Sequence, residues 1–163
     1  MKKIGLFYCV NTESTANVAK LICKALREDS VEVVSVEDAW IDDFARYDTL
    51  ILGTSTWFDG ELPTYWDELI PLIESLDLKN KEVAIFGLGD QKNYPETFVD
   101  GVGILANSIE KTGAKLIGCT SVEGYEYEKS CAVRNGKFLG LVIDERNQQN
   151  KTAGRINEWA TLF

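Results

Sequence analysis

The sequence has no histidine. That removes triad-type nucleophilic catalysis and the commonest general base near neutral pH. Cysteine is sparse: Cys9, Cys23, Cys119 and Cys131 are widely spaced and form no C-x-x-C pair. Without histidine beside them they supply too few ligands for a zinc or iron–sulfur site. They read instead as reduced thiols of a reducing compartment. Positive charge is scarce, with 17 Lys and Arg against 26 Asp and Glu, a formal net charge of −9. Such a balance argues against nucleic acid and anionic membrane as partners and attracts basic proteins, although by itself it is a solubility feature.

Long hydrophobic runs are also missing, and nothing approaches the ~20 apolar residues that span a bilayer. The N-terminus, Met1 to Cys9, imitates a signal peptide, with two lysines ahead of an apolar run. That run is short, lacks a small-residue cleavage site and ends in Asn11-Thr12-Glu13, so it reads as a first strand and the expected location is cytoplasmic. There is no linker, repeat or low-complexity segment. The 163 residues are expected to form one domain, 1–163, long enough to bury a full core.

Strands and helices are expected to alternate throughout. A strand over 2–9 leads to a helix from about Thr15 to Arg27, with Val18, Ala19, Ile22, Cys23 and Leu26 on one face. Strand 31–36, a short helix at 41–46 and strand 49–53 follow. Helix 65–76 carries Trp66, Leu69, Ile70 and Ile73 on its core face, and Pro71 predicts a kink or an early end. Strand 82–87 comes next, then a helix from Glu96 or Thr97 to Thr112, closed by Gly113. Segments 115–119 and 137–143 read as strand, separated by the polar, turn-rich stretch 120–136. Thr152 is placed to cap a final helix, 153–162. The alternation implies a parallel sheet with helices on both faces and an insertion splitting the fifth strand.

Three strand-to-helix loops carry chemistry. Thr54-Ser55-Thr56-Trp57-Phe58-Asp59-Gly60-Glu61 follows the apolar run 49–53 and sets two hydroxyls, an indole and a phenyl ring where an open α/β sheet binds its ligand. Leu88-Gly89-Asp90-Gln91-Lys92-Asn93-Tyr94 adds a second aromatic after the next strand. Asn11-Thr12-Glu13-Ser14-Thr15 puts four hydrogen-bonding side chains at the start of the first helix, where unpaired amides and the helix dipole favour a phosphate. Taken alone, that loop is explained by a simple helix cap. Combined with two aromatic loops it describes a site for a phosphorylated flavin.

On these residues the chain resembles the long-chain flavodoxins. The likeness runs through Lys3–Tyr8, Thr56-Trp57 with Gly60-Glu61-Leu62, and Gly89-Asp90-Gln91 with Tyr94. It continues through Glu123–Tyr127, Asn135–Leu141, Asp144-Glu145 and Asn147-Gln148, with 120–136 as the insertion of the long-chain group. The resemblance implies a flavodoxin-like three-layer sandwich with a five-stranded parallel sheet of order 2-1-3-4-5 and FMN at the switch point, the general rule for which flavodoxin is itself the standard example. It implies that Val10, Asn11, Thr12, Glu13, Ser14 and Thr15 hold the FMN phosphate. Ser55, Thr56, Trp57, Phe58, Asp59 and Gly60 would line the ring, Trp57 and Tyr94 on opposite faces, with the backbone of Leu88, Gly89 and Asp90 at its pyrimidine edge. Trp40, Trp66 and Trp159 read as core or helix-face residues.

Two positions depart from the family pattern. Val10 replaces a hydroxyl residue, and Glu13 stands where glycine is usual. Glu13 is expected to turn outward while its backbone N–H still donates. In the family a peptide beside the ring turns over in the one-electron-reduced state; it maps onto Phe58–Asp59, where neither residue is glycine, so turning should cost more and that state should be only modestly stabilised. The implied function is a low-potential one-electron carrier that shuttles electrons from a reductase or photosystem to acceptor redox proteins, without an enzyme's catalytic residues, its FMN supplying the chemistry. Its partners would be redox proteins, such as ferredoxin-NADP reductase, docked transiently through an acidic surface that includes Asp59, Glu61, Asp67 and Glu68. Nothing in the sequence demands an oligomer. A receiver domain is excluded because Val10-Asn11-Thr12 and Gly53-Thr54-Ser55 replace its acidic positions, and a dinucleotide-binding domain because G-x-G-x-x-G is absent after the first strand. An FMN-dependent NAD(P)H or quinone oxidoreductase of the same fold, and a binding module that has lost FMN affinity, are the alternative readings.

Overall fold

The structure, a computed structural model, describes residues 3–9, 12–57 and 60–163. Parallel strands β1 (Ile4–Tyr8), β2 (Val31–Ser35), β3 (Thr49–Ser55), β4 (Glu82–Leu88) and β5 (Lys115–Ile117) form a sheet of order 2-1-3-4-5. Helices α1 (Glu13–Ala25), α2 (Thr64–Ile73), α3 (Asp100–Lys111) and α4 (Glu145–Ala160) cover it. The strands are apolar runs because both faces are buried. Alternate residues serve the two sides. Phe7, Leu50, Leu52, Val83 and Ile85 join one cluster with Trp66 and Leu105. Leu6, Ile51, Ala84 and Phe86 join the other with Val18, Ile22, Ile156 and Trp159. The first cluster is roofed by α2 and α3, the second by α1 and α4.

The fifth strand is split as expected. β5 pairs with Glu82–Ala84 of β4, and β9 (Leu141–Ile143) pairs with Phe86–Leu88 of the same strand. Between them, β6 (Thr120–Ser121), β7 (Val133–Arg134) and β8 (Lys137–Phe138) make a small antiparallel sheet. Segment 137–143 is therefore two strands rather than one. Phe138 is fully buried against Phe98, Tyr125 and Tyr127, so the insertion brings an aromatic core of its own.

Several helix boundaries differ from the sequence expectation. α2 stops at Ile73, two residues after Pro71, the early end that proline predicts. The segment 41–46 is a 3-10 helix, and Trp40 at its N-cap is 79% exposed, not core. Trp66 and Trp159 are buried. α3 begins at Asp100 because Val99 is left-handed, φ 49°, and breaks the helical path. Residues before it bond the insertion instead: Phe98 N–H donates to Lys129 O, and Glu128 N–H to Pro95 O. α4 starts at Glu145, eight residues before the expected start. Its N-cap is Asp144, whose carboxylate accepts from Asn147 N–H, and Thr152 is buried inside the helix. A non-helical residue, Gln148 (φ −137°), kinks α4 after its first turn. Among the described residues no helix is long and apolar enough to cross a membrane.

Candidate functional site

The carboxyl ends of β1, β3 and β4 lie side by side, where an open α/β sheet forms its crevice. Behind β1, Thr12 is the N-cap of α1 in extended conformation (φ −118°, ψ 115°), yet among the described residues its side chain does not cap the helix. Thr12 Oγ1 turns instead to Thr15 Oγ1, 3.2 Å away. Thr12 therefore leaves the first-turn amides open to another acceptor, with the positive end of a 13-residue helix behind them. Glu13 and Ser14 are exposed and Thr15 is buried. Val10 and Asn11 lie outside the described residues. Cys9, buried at the end of β1, has its thiol pushed up to about 12 by burial and by the Glu37 carboxylate. It stays protonated and offers no nucleophile.

The loop after β3 closes on itself. Trp57 and Glu61 exchange two backbone hydrogen bonds of 2.7 Å each. Gly60 makes the turn at φ 88°, a conformation that costs a residue with a Cβ. Thr56 Oγ1 accepts from Gly101 N–H at 2.9 Å, tying the loop to the first turn of α3. Gly101 has to be small there, since a Cβ would stand 2.8 Å from Ser55 O. Ser55 Oγ is enclosed and has no hydrogen-bond partner among the described residues. Phe58 and Asp59 fall outside the described residues.

The loop after β4 is held from elsewhere. Leu88 ends the strand, buried, and Gly89 N–H donates to Ile143 O. The Asp90 carboxylate accepts from the backbone of Lys92 and Asn93 and from the side chains of Asn93 and Asn147. Partial burial pulls its pKa up, but these bonds outweigh it and the net shift is downward. Gln91 is buried and works with both ends of its amide: Nε2 donates to Asp144 Oδ2 at 2.7 Å, and Oε1 accepts from Glu126 N–H of the insertion at 2.6 Å. Asp144, fully buried, also accepts from Gln91 N–H and from the backbone and side chain of Asn147. Tyr94 closes the turn through its N–H to Asp90 O and is 57% exposed.

A cavity of about 20 Å³ separates the two loops, lined by Thr56, Gly89, Asp90, Tyr94, Thr97, Phe98 and Val99. Larger hollows flank α4: about 370 Å³ between Cys119, Arg155 and Trp159, and about 750 Å³ beside Lys92, Gly124 and Lys151. Neither contains a residue that the sequence singles out for the site. By contrast, Thr12, Glu13, Ser14, Thr15, Ser55, Thr56, Trp57, Gly60, Leu88, Gly89, Asp90 and Tyr94 all stand at the carboxyl ends of three adjacent strands. Sequence reasoning gave no role to Gln91, Gly101, Asp144 or Asn147. For Asp144 and Asn147 a signal existed, because Asp-x-x-Asn fits an N-cap side chain and the N3 amide it accepts from.

A parallel five-stranded order of 2-1-3-4-5 with helices on both faces and a binding crevice at β1 and β3 defines a flavodoxin-type fold. The family model described as flavodoxin matches residues 6–159. A flavodoxin of a Synechocystis species is 41% identical over 162 residues, 99% of this chain and 95% of its own. One from a Nostoc species is 42% identical over 97% of this chain and 93% of its own. The crystal structure of Fusobacterium nucleatum flavodoxin bound to flavin mononucleotide superposes with a TM-score of 0.94 at 36% identity, covering 99% of this chain and 96% of that one. The chain belongs to the flavodoxin family.

Proposed function

We propose that this protein is an electron-transfer flavoprotein that carries single electrons on non-covalently bound FMN. The observation that carries the reading is the amino end of α1, which the Thr12 side chain does not cap, beside two neighbouring loops that each present an aromatic ring, Trp57 and Tyr94. The enclosed Ser55 Oγ, without a hydrogen-bond partner among the described residues, fits a polar ligand in the same crevice. Bound there, FMN supplies the redox chemistry. The first-turn amides and hydroxyls at Thr12–Thr15 are suited to its phosphate, and Glu13, which is exposed, is assigned its backbone N–H there with the carboxylate turned outward. Trp57 and Tyr94 are assigned to the two ring faces, and the backbone of Leu88, Gly89 and Asp90 to the pyrimidine edge. Val10, Asn11, Phe58 and Asp59 are assigned by resemblance alone. Partners are redox proteins with basic surfaces, for example a ferredoxin-NADP reductase, met through the exposed carboxylates of Glu61, Asp67 and Glu68.

The test is a titration of apoprotein with FMN followed by tryptophan fluorescence, with riboflavin as the control lacking phosphate. Quenching that saturates at one FMN, with riboflavin far weaker, is the expected outcome. Equal affinity for both would remove the phosphate assignment, and no quenching by either would remove the electron-carrier reading.

A further inference from the structure

Asp144 is fully buried in a chain whose other carboxylates mostly face water. Every group bonded to it is a donor: Gln91 N–H at 3.1 Å, Gln91 Nε2 at 2.7 Å, Asn147 N–H at 3.1 Å and Asn147 Nδ2 at 2.9 Å. An acceptor-only carboxylate is suited to such a ring of donors. Among the described residues no cation pairs with it. The contacts that hold it are amide N–H groups, and the Arg155 guanidinium stacks on the Tyr125 ring rather than on the carboxylate.

Its position matters more than its burial. The Gln91 amide it accepts from belongs to the peptide that follows Asp90, so the charge stands directly behind the backbone assigned to the flavin's pyrimidine edge. Asn147 Nδ2 reaches both Asp144 and Asp90, the latter at 2.9 Å, and so fixes the loop to the same point. Reduction places negative charge on the flavin, and a fixed anion at low dielectric opposes it. Resting on the FMN reading above, we propose that Asp144 is a positioning residue of the flavin site with a second role in setting its potential: its carboxylate holds the loop after β4 through Gln91 and disfavours the reduced cofactor.

The two roles separate by experiment. Asp144→Asn is purified with excess FMN, which stabilises the folded form by mass action. FMN dissociation constants are measured for the oxidised and fully reduced states, and the midpoint potentials by spectroelectrochemistry. The expected result is about tenfold weaker binding of oxidised FMN, together with about a tenfold change of the reduced-to-oxidised affinity ratio in favour of reduced. Across the two electrons that separate these states, that ratio corresponds to a rise of about 30 mV in the two-electron midpoint, or about 59 mV in one step when that step takes all of it. Loss of positioning alone weakens both states equally and leaves the potentials in place, so an unchanged ratio overturns the electrostatic role. Gln91→Met is the companion, since it removes the arm and keeps the charge. It should weaken both states several-fold with the ratio within about twofold of the parent, and it stands as a test even if Asp144→Asn does not fold. A potential shift in Gln91→Met as large as that expected of Asp144→Asn would overturn the proposal. Failure of the parent protein to bind FMN would instead overturn the function proposed above, so the two failures are distinguishable.

Discussion

The loop after β3 closes through contacts between its own neighbours, Trp57 with Glu61, and among the described residues takes a side-chain bond from outside between Thr56 and Gly101. The loop after β4 is fixed by groups more than 30 residues away: Asp144 and Asn147 from α4 and Glu126 from the insertion. The first is a locally encoded turn, and the second is shaped by the rest of the molecule. A locally closed turn tolerates change elsewhere, whereas a loop pinned by a buried carboxylate loses its shape when a distant donor is removed. The two walls of the proposed site thus depend on different parts of the chain.

Breaking the pinned loop should have the larger effect. Asn147→Ala removes the donor shared by Asp90 and Asp144 and leaves a buried carboxylate short of a partner, a loss of about 2–3 kcal/mol. Urea unfolding of the apoprotein reads it directly, and a loss below about 0.5 kcal/mol would mean that the network is not what holds this loop. Thr56→Val, which removes only the bond to Gly101, should cost about 1 kcal/mol and leave the Asp90 loop unaltered in hydrogen exchange. If it destabilised the protein as much as Asn147→Ala, the contrast between the loops would disappear.

The smallest effect is in acid. The folded pKa of Asp90 lies below its ordinary value. Its contribution to stability is therefore complete above the unfolded value of ~3.9 and is lost as pH falls through the folded one. NMR titration of the carboxyl should show the lowered value in the parent and a return toward ordinary in Asn147→Ala. An unchanged Asp90 titration in that variant would mean that Asn93 and the loop amides alone hold the charge.

Much of the fold was legible because buried parallel strands are continuous apolar runs; 49–53 and 82–87 needed nothing but their own residues to be found. The final helix shows where that legibility stops. Glu145-Arg146-Asn147-Gln148-Gln149-Asn150 has no apolar residue, so periodicity cannot reveal a helical turn there. What holds it is the Asp144 cap, together with Asn147 and Gln148 side chains bonded to Asp90 and Gly124. Residues 96–99 fail in the opposite sense, reading as helix but bound to the insertion through Phe98. In the site, the aromatic and hydroxyl residues announce themselves by type and loop position. Asp144 and Gln91 do not, because their importance comes from a contact across 53 residues of chain.

The split fifth strand has a historical reading. β9 resumes on β4 two residues beyond the point where β5 leaves it, so a sheet of this kind could acquire the intervening segment without surrendering a single central pairing. Losing it again would be harder. Phe98, 1% exposed, is covered by Tyr125, Tyr127 and Phe138, and excision would leave that ring bare and Gln91 with half its amide unanswered. The segment thus leaves the run of β4 intact while the core beneath it depends on the roof it provides.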